Sequence, residues 1–341
     1  MTVLHLLGSK ADGGAETYFT DLVTALHADG ADQAAAIRPH PTREVQLAEA
    51  GVPLTTAPFG GPLDLVTRPA LTRCARELDA QVLVQWMNRA GRFAPQGPWA
   101  RVGRLGGYYN LKYYKGCDRL VANTADIRDW LIGEGWPAER ALYIPNFAEA
   151  GPHPALDRAT LNTPADAPLI LGMGRLHLSK AHDVSLRALV ALKDAILWIA
   201  GAGPLAKELK KLADTLGVGD RVRWLGWRGD PSALYRAADV VVFPSRYEPL
   251  GNVVIQAWAH GAPVVAARSA GPSALIRDGE DGILFDVEDH DALAAAVRRV
   301  LASDGLAKRL VEAGKARVAA EMSRPIVTAR WRELFAELGA R

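Results

Sequence analysis

Glu248 stands in a loop, Ser245-Arg246-Tyr247-Glu248-Pro249-Leu250-Gly251-Asn252, that follows the apolar run Val240–Phe243. Beyond it lies a stretch with Val253, Val254, Ala257 and Trp258 at helical spacing. This order predicts a buried strand bounded by Pro244, a polar loop, and a helix opening near Asn252, whose side chain can cap it. Gly261 ends the helix, and Ala262–Ala266 forms the next strand. Such a junction puts backbone N–H groups at a strand's carboxyl end, where open α/β sheets bind anionic ligands. Two similar junctions precede it. Leu169–Gly174 reads as a strand running into Arg175 and Lys180, and Ala195–Ala200 as a strand entering Gly201-Ala202-Gly203. At the amino terminus, Thr2–Gly8 reads as a strand and about Ala15–Gly30 as a helix with Phe19, Leu22, Val23 and Leu26 on one face. Gly13 and Gly14 between them permit close approach of a ligand to backbone amides. This loop carries no Walker signature and no clean G-x-G-x-x-G, so a plain tight turn stays open. Gly201–Pro204 hints at a dinucleotide site, but no clear acidic residue follows at the required distance.

The surrounding elements alternate. Strand-like runs recur at Gln33–Ile37, Val82–Gln85, Leu120–Thr124 and Val222–Gly226, with helical patterns between them, among them Ala125–Gly133. That alternation predicts α/β architecture with doubly wound parallel sheets. A length of 341 residues favours two domains. A boundary falls in the Pro-, Ala- and Asp-rich stretch after Phe147, read as a connection plus a short helix. After Phe285 come helices over about Asp291–Ala302 and Leu306–Met322, then a last one over Pro325–Leu338 bearing Trp331 and Phe335.

Composition narrows the function classes. The formal charge of +2 does not imply wholesale nucleic-acid binding. Two cysteines, Cys74 and Cys117, lie far apart with no CxxC, which fits a reducing compartment and neither a disulfide scaffold nor a zinc cluster. No signal peptide or membrane-spanning run is present, so a cytoplasmic protein that touches a membrane only at its surface is expected. The segment Arg89–Arg119 is strongly basic, with Arg89, Arg92, Arg101, Arg104, Lys112, Lys115 and Arg119 against the single acid Asp118. Phe93, Trp99, Tyr108, Tyr109, Tyr113 and Tyr114 are interleaved. It fits a surface that meets anionic headgroups or a phosphorylated sugar acceptor, or else a solvated helix face with packed tyrosines.

Glu248-Pro-Leu-Gly-Asn, His260-Gly-Ala-Pro-Val-Val-Ala, Gly271-Pro and Asp278-Gly-Glu-Asp-Gly together resemble the donor-sugar site of retaining glycosyltransferases of family 4. Gly13-Gly-Ala-Glu16 and Ile144-Pro-Asn146 fit the same pattern. The phrases around Glu248 and Trp258 are similar to those of bacterial envelope and lipopolysaccharide core transferases. The resemblance implies the GT-B fold: two Rossmann-like parallel-sheet domains facing across a cleft. It places an acceptor-side domain at 1–150, a linker at 151–168, a nucleotide-sugar-binding domain at 169–322, and a helix at 323–341 that crosses back to the first domain.

The resemblance also implies roles. Glu248 would bind donor-sugar hydroxyls, and Arg175 and Lys180 would stabilise the leaving diphosphate, so that no metal or other cofactor is required. Gly13, Gly14, Gly174, Gly203, Leu250, Gly251 and Asn252 would lie around the donor. Trp227 and Arg228 would flank the base, although a packed tryptophan is an equal reading. Gln256 stands where the family usually has a glutamate for the ribose. Glu16, Asn88, Arg89, Tyr108 and Lys112 would face the acceptor. The family's histidine in the first domain is absent here, since the matching regions read Gln85-Trp-Met-Asn-Arg-Ala and Arg104-Leu-Gly-Gly-Tyr-Tyr.

The implied reaction moves a hexose-type sugar from UDP or GDP to a saccharide or lipid-linked acceptor, with front-face attack and retention of configuration. The partners would be the nucleotide sugar, the glycan acceptor and an anionic membrane surface, without nucleic acid. The alternatives are a phosphorylase or epimerase on the same fold, a catalytically silent nucleotide-sugar binder, and a dehydrogenase.

Overall fold

A computed structural model describes residues 1–151 and 153–339. The chain divides into two compact units, Met1–Asn146 with the C-terminal helix, and Phe147–Ser323. Residue 152 of the expected linker and residues 340–341 of the expected last segment lie outside the described residues.

The first unit holds strands β1 (Thr2–Leu7), β2 (Gln33–Ile37), β3 (Leu54–Thr56), β4 (Ala80–Trp86), β5 (Ala100–Leu105), β6 (Arg119–Ala122) and β7 (Ala141–Tyr143). They form one sheet in the order β3-β2-β1-β4-β5-β6-β7. Every adjacent pair runs parallel. The central strands are mostly apolar and buried because helices cover both faces, as parallel sheets require, with His5 on β1 and Gln85 on β4 as buried polar exceptions. Val3, Leu4, Leu6 and Leu7 are all buried. The helix Arg324–Gly339 belongs to this unit and buries Trp331 and Phe335, the latter edge-on to His5. Arg324 anchors its start on Asp29 at 3.0 Å, and Arg119 bonds Glu337 near its end.

The second unit holds β8 (Leu169–Met173), β9 (Ile196–Ala200), β10 (Val222–Gly226), β11 (Val240–Phe243), β12 (Val264–Ala267) and β13 (Ile283–Phe285). Their order is β10-β9-β8-β11-β12-β13, again all parallel. Trp198 on β9 and Trp258 on the helix Asn252–His260 are fully buried, and each indole N–H finds an acceptor, Thr163 Oγ1 and the Asp281 carbonyl.

The stretch expected as a linker is no free connection. Leu156 packs on the second unit's core and its N–H bonds the Ala233 carbonyl. Arg158 donates to the Ala237 carbonyl and to Asp239, both at 2.7 Å. These contacts tie the stretch to that unit, which begins at Phe147.

Each sheet reverses its winding once: between β1 and β4 in the first unit, and between β8 and β11 in the second. Loops leaving two such strands diverge and open a crevice at their carboxyl ends. Most of the candidate residues lie at these two places; Gly203 follows β9, Trp227 and Arg228 follow β10, and Tyr108 and Lys112 follow β5.

Candidate functional site

In the second unit, the loops after β8 and β11 bring Lys180 and Glu248 into an ion pair. Lys180 is held on three sides. Its stem lies against Gly174, its ammonium sits 5.4 Å from the centre of the Phe243 ring, and Glu248 takes the charge. The other oxygen of Glu248 accepts the N–H of Gly251 at 3.2 Å and, more weakly, that of Leu250 at 3.4 Å. One carboxylate thus spans a cation and the entrance of the helix Asn252–His260.

The cap of that helix is Gly251, not Asn252, which is its first helical residue. Gly251 takes a left-handed φ of 92°, which a side chain at this position would strain. Gly271 supports the loop from behind. Its N–H bonds the Glu248 carbonyl at 2.7 Å, and a Cβ there would come within 2.5 Å of the Leu250 backbone.

Arg246, given no role in the sequence reading, ties the two loops together. Its guanidinium grips Asp183 with two bonds of 2.8 and 2.6 Å and also pairs with Glu288. It donates to the Leu178 carbonyl at 2.9 Å, and its backbone N–H bonds the Ser179 carbonyl at 2.9 Å. The bonds to Asp183 and then to Glu288 raise its pKa further above the ordinary arginine value. Nothing in a short motif announces this clamp, because Asp183 and Glu288 lie far from it in sequence. Its one local signal is a charge two residues before Glu248.

Arg175 is exposed, and among the described residues its guanidinium makes no hydrogen bond or ion pair. Gly174 precedes it, and Gly203 of the next loop lies against the Leu176 backbone. His182, also missed in the sequence, stands behind Gly174 with Nε2 3.2 Å from its carbonyl oxygen. Burial pushes its pKa from 6.5 down to about 4, so it is neutral and donates through Nε2. Trp227 is 65% exposed, which removes the reading of a packed tryptophan. Arg228 next to it is engaged by Asp230 through bonds of 2.8 and 2.6 Å. Gln256 lies half-buried on the helix Asn252–His260, whose last residue, His260, bonds the Gln256 carbonyl.

In the first unit, Gly13 caps the helix Gly14–Ala28, and Glu16 is buried in its first turn. Glu16 accepts the Ser9 hydroxyl at 2.5 Å. Arg43 reaches the carbonyls of Ser9 and Ala11 in the same loop at 3.3 and 3.1 Å. After β4 the chain takes a left-handed turn at Met87, with φ of 64°. That turn starts a helix, Met87–Phe93, which the sequence reading did not resolve. It carries Asn88, whose Oδ1 is buried without a hydrogen-bond partner, and Arg89, which donates to the carbonyls of Phe59 and Gly60 at 2.9 and 3.1 Å. Tyr108 bonds Asp126, and Lys112 is exposed over the Tyr113 ring.

The basic segment Arg89–Arg119 is not the uniform surface expected. Arg101 and Arg104 lie on β5 and point inward. Arg104 is 3% exposed, stacks between Tyr18 and Trp86, and bonds Asn146 and the Leu105 carbonyl. Burial lowers its pKa to about 10, so it stays charged at neutral pH. Arg101 bonds Gln85 at 2.8 Å, and Phe93, Trp99 and Tyr114 are core residues. These cations find interior acceptors and aromatic faces, which outweigh the charge count of the segment.

Two doubly wound parallel sheets with their charged groups at the switch points define the class as a GT-B glycosyltransferase fold. Comparison with known proteins agrees. Residues 155–317 match the family described as glycosyl transferases group 1. The lipopolysaccharide core biosynthesis glycosyltransferase LpsE of Rhizobium meliloti strain 1021 is 37% identical over 98% of this chain and 99% of its own. LpsD of the same strain is 36% identical over 98% of each chain. Among solved structures, Anabaena Alr3699/HepE in complex with UDP and glucose superposes with a TM-score of 0.84 over 99% of this chain and 100% of its own, at 20% identity. The chain therefore belongs to the group 1 glycosyl transferases.

Proposed function

We propose that this protein transfers a hexose-type sugar from a nucleoside-diphosphate sugar to an anionic, lipid-linked saccharide of the lipopolysaccharide core, with retention of anomeric configuration. The observation that carries the reading is the contact of Lys180 with Glu248 at the mouth of the helix Asn252–His260, beside the uncommitted Arg175. A carboxylate held between a cation and two amides can accept sugar hydroxyls without rotating. Arg175 and Lys180 supply the positive charge that a departing diphosphate requires, which supports a reaction independent of metal. The Leu250 and Gly251 amides, now on Glu248, would share their donor capacity with the bound sugar. The leaving phosphate oxygen would accept the acceptor's proton on the same face as attack, so no separate base is required. A double displacement would instead use Glu248 as nucleophile and leave a trappable glycosyl-enzyme.

The nucleotide-sugar donor is supported by the UDP and glucose named for HepE, and the core acceptor by the names of LpsE and LpsD. In the first unit, Glu16, Asn88, Arg89, Tyr108 and Lys112 are the proposed acceptor-side groups, with Asn88 Oδ1 the best placed to take a sugar hydroxyl. The proposed site of action is the cytoplasmic face of a membrane. Among the described residues no helix is long and apolar enough to cross one.

The test is nucleotide release from UDP- and GDP-sugars with and without a truncated lipopolysaccharide acceptor, with the product's anomeric centre read by NMR. Release that depends on acceptor, with the donor's configuration kept in the product, is expected. An inverted product, or release indifferent to acceptor, would refute it. Nucleotide binding without any turnover would favour the silent binder that Gln256 leaves open.

A further inference from the structure

The two most exposed large aliphatic side chains among the described residues stand two positions apart: Leu63 at 90% and Leu65 at 83%, followed by Val66 at 63%. They occupy the loop after β3, and that loop is tightly held. The Asp64 carboxylate turns inward and accepts the N–H groups of Gly60, Val66 and Thr67 at 2.6, 3.0 and 2.9 Å, and the Thr67 hydroxyl at 2.6 Å. Thr67 is fully buried and accepts the Phe59 N–H at 2.9 Å. With Asp64 fixed inward, its neighbours Leu63 and Leu65 are directed to solvent. Clustered exposed aliphatics on a rigid support mark an interaction surface more than a slack connection.

Three arginines surround the root of this loop. Arg89 bonds the Phe59 and Gly60 carbonyls, and Arg68 bonds the Arg92 carbonyl at 2.8 Å. All three are exposed, and none pairs with a carboxylate among the described residues. The one acid of the loop, Asp64, is occupied by its own bonds.

We infer that the loop 60–66 is a foot that docks the first unit on an anionic lipid bilayer, with Leu63, Leu65 and Val66 entering the headgroup–acyl boundary and Arg68, Arg89 and Arg92 meeting lipid phosphates. An apolar tip ringed by cations matches that boundary on both counts. A second copy fits less well, since a symmetric contact through the tip would set arginines against arginines. The inference rests on the reading of a lipid-linked acceptor and deepens it: the root of the foot includes Arg89, a proposed acceptor-side residue.

The test is cosedimentation with vesicles of equal parts phosphatidylglycerol and phosphatidylcholine, and with phosphatidylcholine alone. It compares wild type, Leu63→Ser/Leu65→Ser and Arg68→Gln/Arg92→Gln, with a UDP thermal shift run on each. Wild type should bind the anionic vesicles, and both double variants should bind about tenfold or more weaker, with unchanged melting and UDP response. The arginine variant should also lose most of the salt sensitivity. Absent binding by wild type, or equal binding by the leucine variant, overturns the foot. So does light scattering that shows a wild-type dimer dissociated by the leucine substitutions. A UDP shift without vesicle binding would sink the foot and spare the transferase reading, whereas vesicle binding without a UDP shift would do the reverse.

Discussion

The two switch points are built from the same βα grammar and spend their charges differently. In the second unit the loops after β8 and β11 keep charge at the surface of the crevice: Lys180 with Glu248, Arg175 uncommitted, and Arg246 as a clamp behind them. In the first unit the charges turn into the fold. Glu16 takes a serine hydroxyl, Arg101 donates to Gln85, and Arg104 is buried between two aromatic rings. A site for a diphosphate needs fixed, available cations. One for a saccharide can instead be lined by amides, carbonyls and aromatic edges once the loops are rigid. The difference supports the proposal of a donor site in the second unit and an acceptor site in the first.

The largest expected effect comes from Glu248. Glu248→Gln keeps the shape and removes the charge that orients Lys180, so kcat should fall about a hundred- to a thousand-fold while UDP still binds. Steady-state rates beside a UDP titration check this, and a variant with near-normal kcat would dissolve the contrast between the units.

Arg246 comes next, as a positioning residue. Arg246→Ala leaves Asp183 and Glu288 without their cation and frees the Glu248 loop from the Lys180 loop. The account predicts about a ten- to hundredfold loss in kcat with a smaller change in KM. Arg246→Lys should recover part of it, because a lysine cannot grip Asp183 with two parallel bonds. A loss confined to melting temperature, with kinetics intact, would make the clamp merely structural.

Acid should weaken both units alike, and by less. His5 is fully buried between Gln33 and the Trp86 indole, and burial lowers its pKa to about 4, as for His182. Both pKa values are depressed below the unfolded value of 6.5, so the unfolded chain binds the extra protons in the window between. Stability is full above 6.5 and declines as pH falls towards 4, by about 1 kcal/mol per histidine at pH 5.5. Denaturant titrations at pH 7.5 and 5.5 read this. His182→Asn should remove the share of that histidine alone.

Much of this was open to reading in the chain. Gln33–Ile37 and Ala125–Gly133 are a strand and a helix with those very bounds, because a continuous apolar run and a Thr124 cap with helical spacing leave little choice. The grouping of Lys180, Glu248, Leu250 and Gly251 was legible for a related reason: a strand, a loop and a helix N-terminus are contiguous, so their spacing survives in sequence. What failed was long-range. The charge-rich β5, Ala-Arg-Val-Gly-Arg-Leu, looked like surface because the amide acceptors that let its arginines be buried, Gln85 for Arg101 and Asn146 for Arg104, are partners that no local pattern reveals. The Arg246 clamp was invisible for the same reason. Asn252 was mistaken for the cap because asparagine is a good one, whereas the left-handed turn at Gly251 had already set the helix start.

The most direct test of the central claim is a thermal-shift measurement with UDP, GDP, ADP, TDP and NAD, without added metal, on wild type and Arg175→Ala. A ligand at a hundred times its dissociation constant should stabilise the protein by about 2.7 kcal/mol. The account predicts that one nucleoside diphosphate raises the wild-type melting temperature and that Arg175→Ala abolishes the rise. A shift with NAD alone, or a diphosphate shift that survives Arg175→Ala intact, would contradict a donor site between β8 and β11.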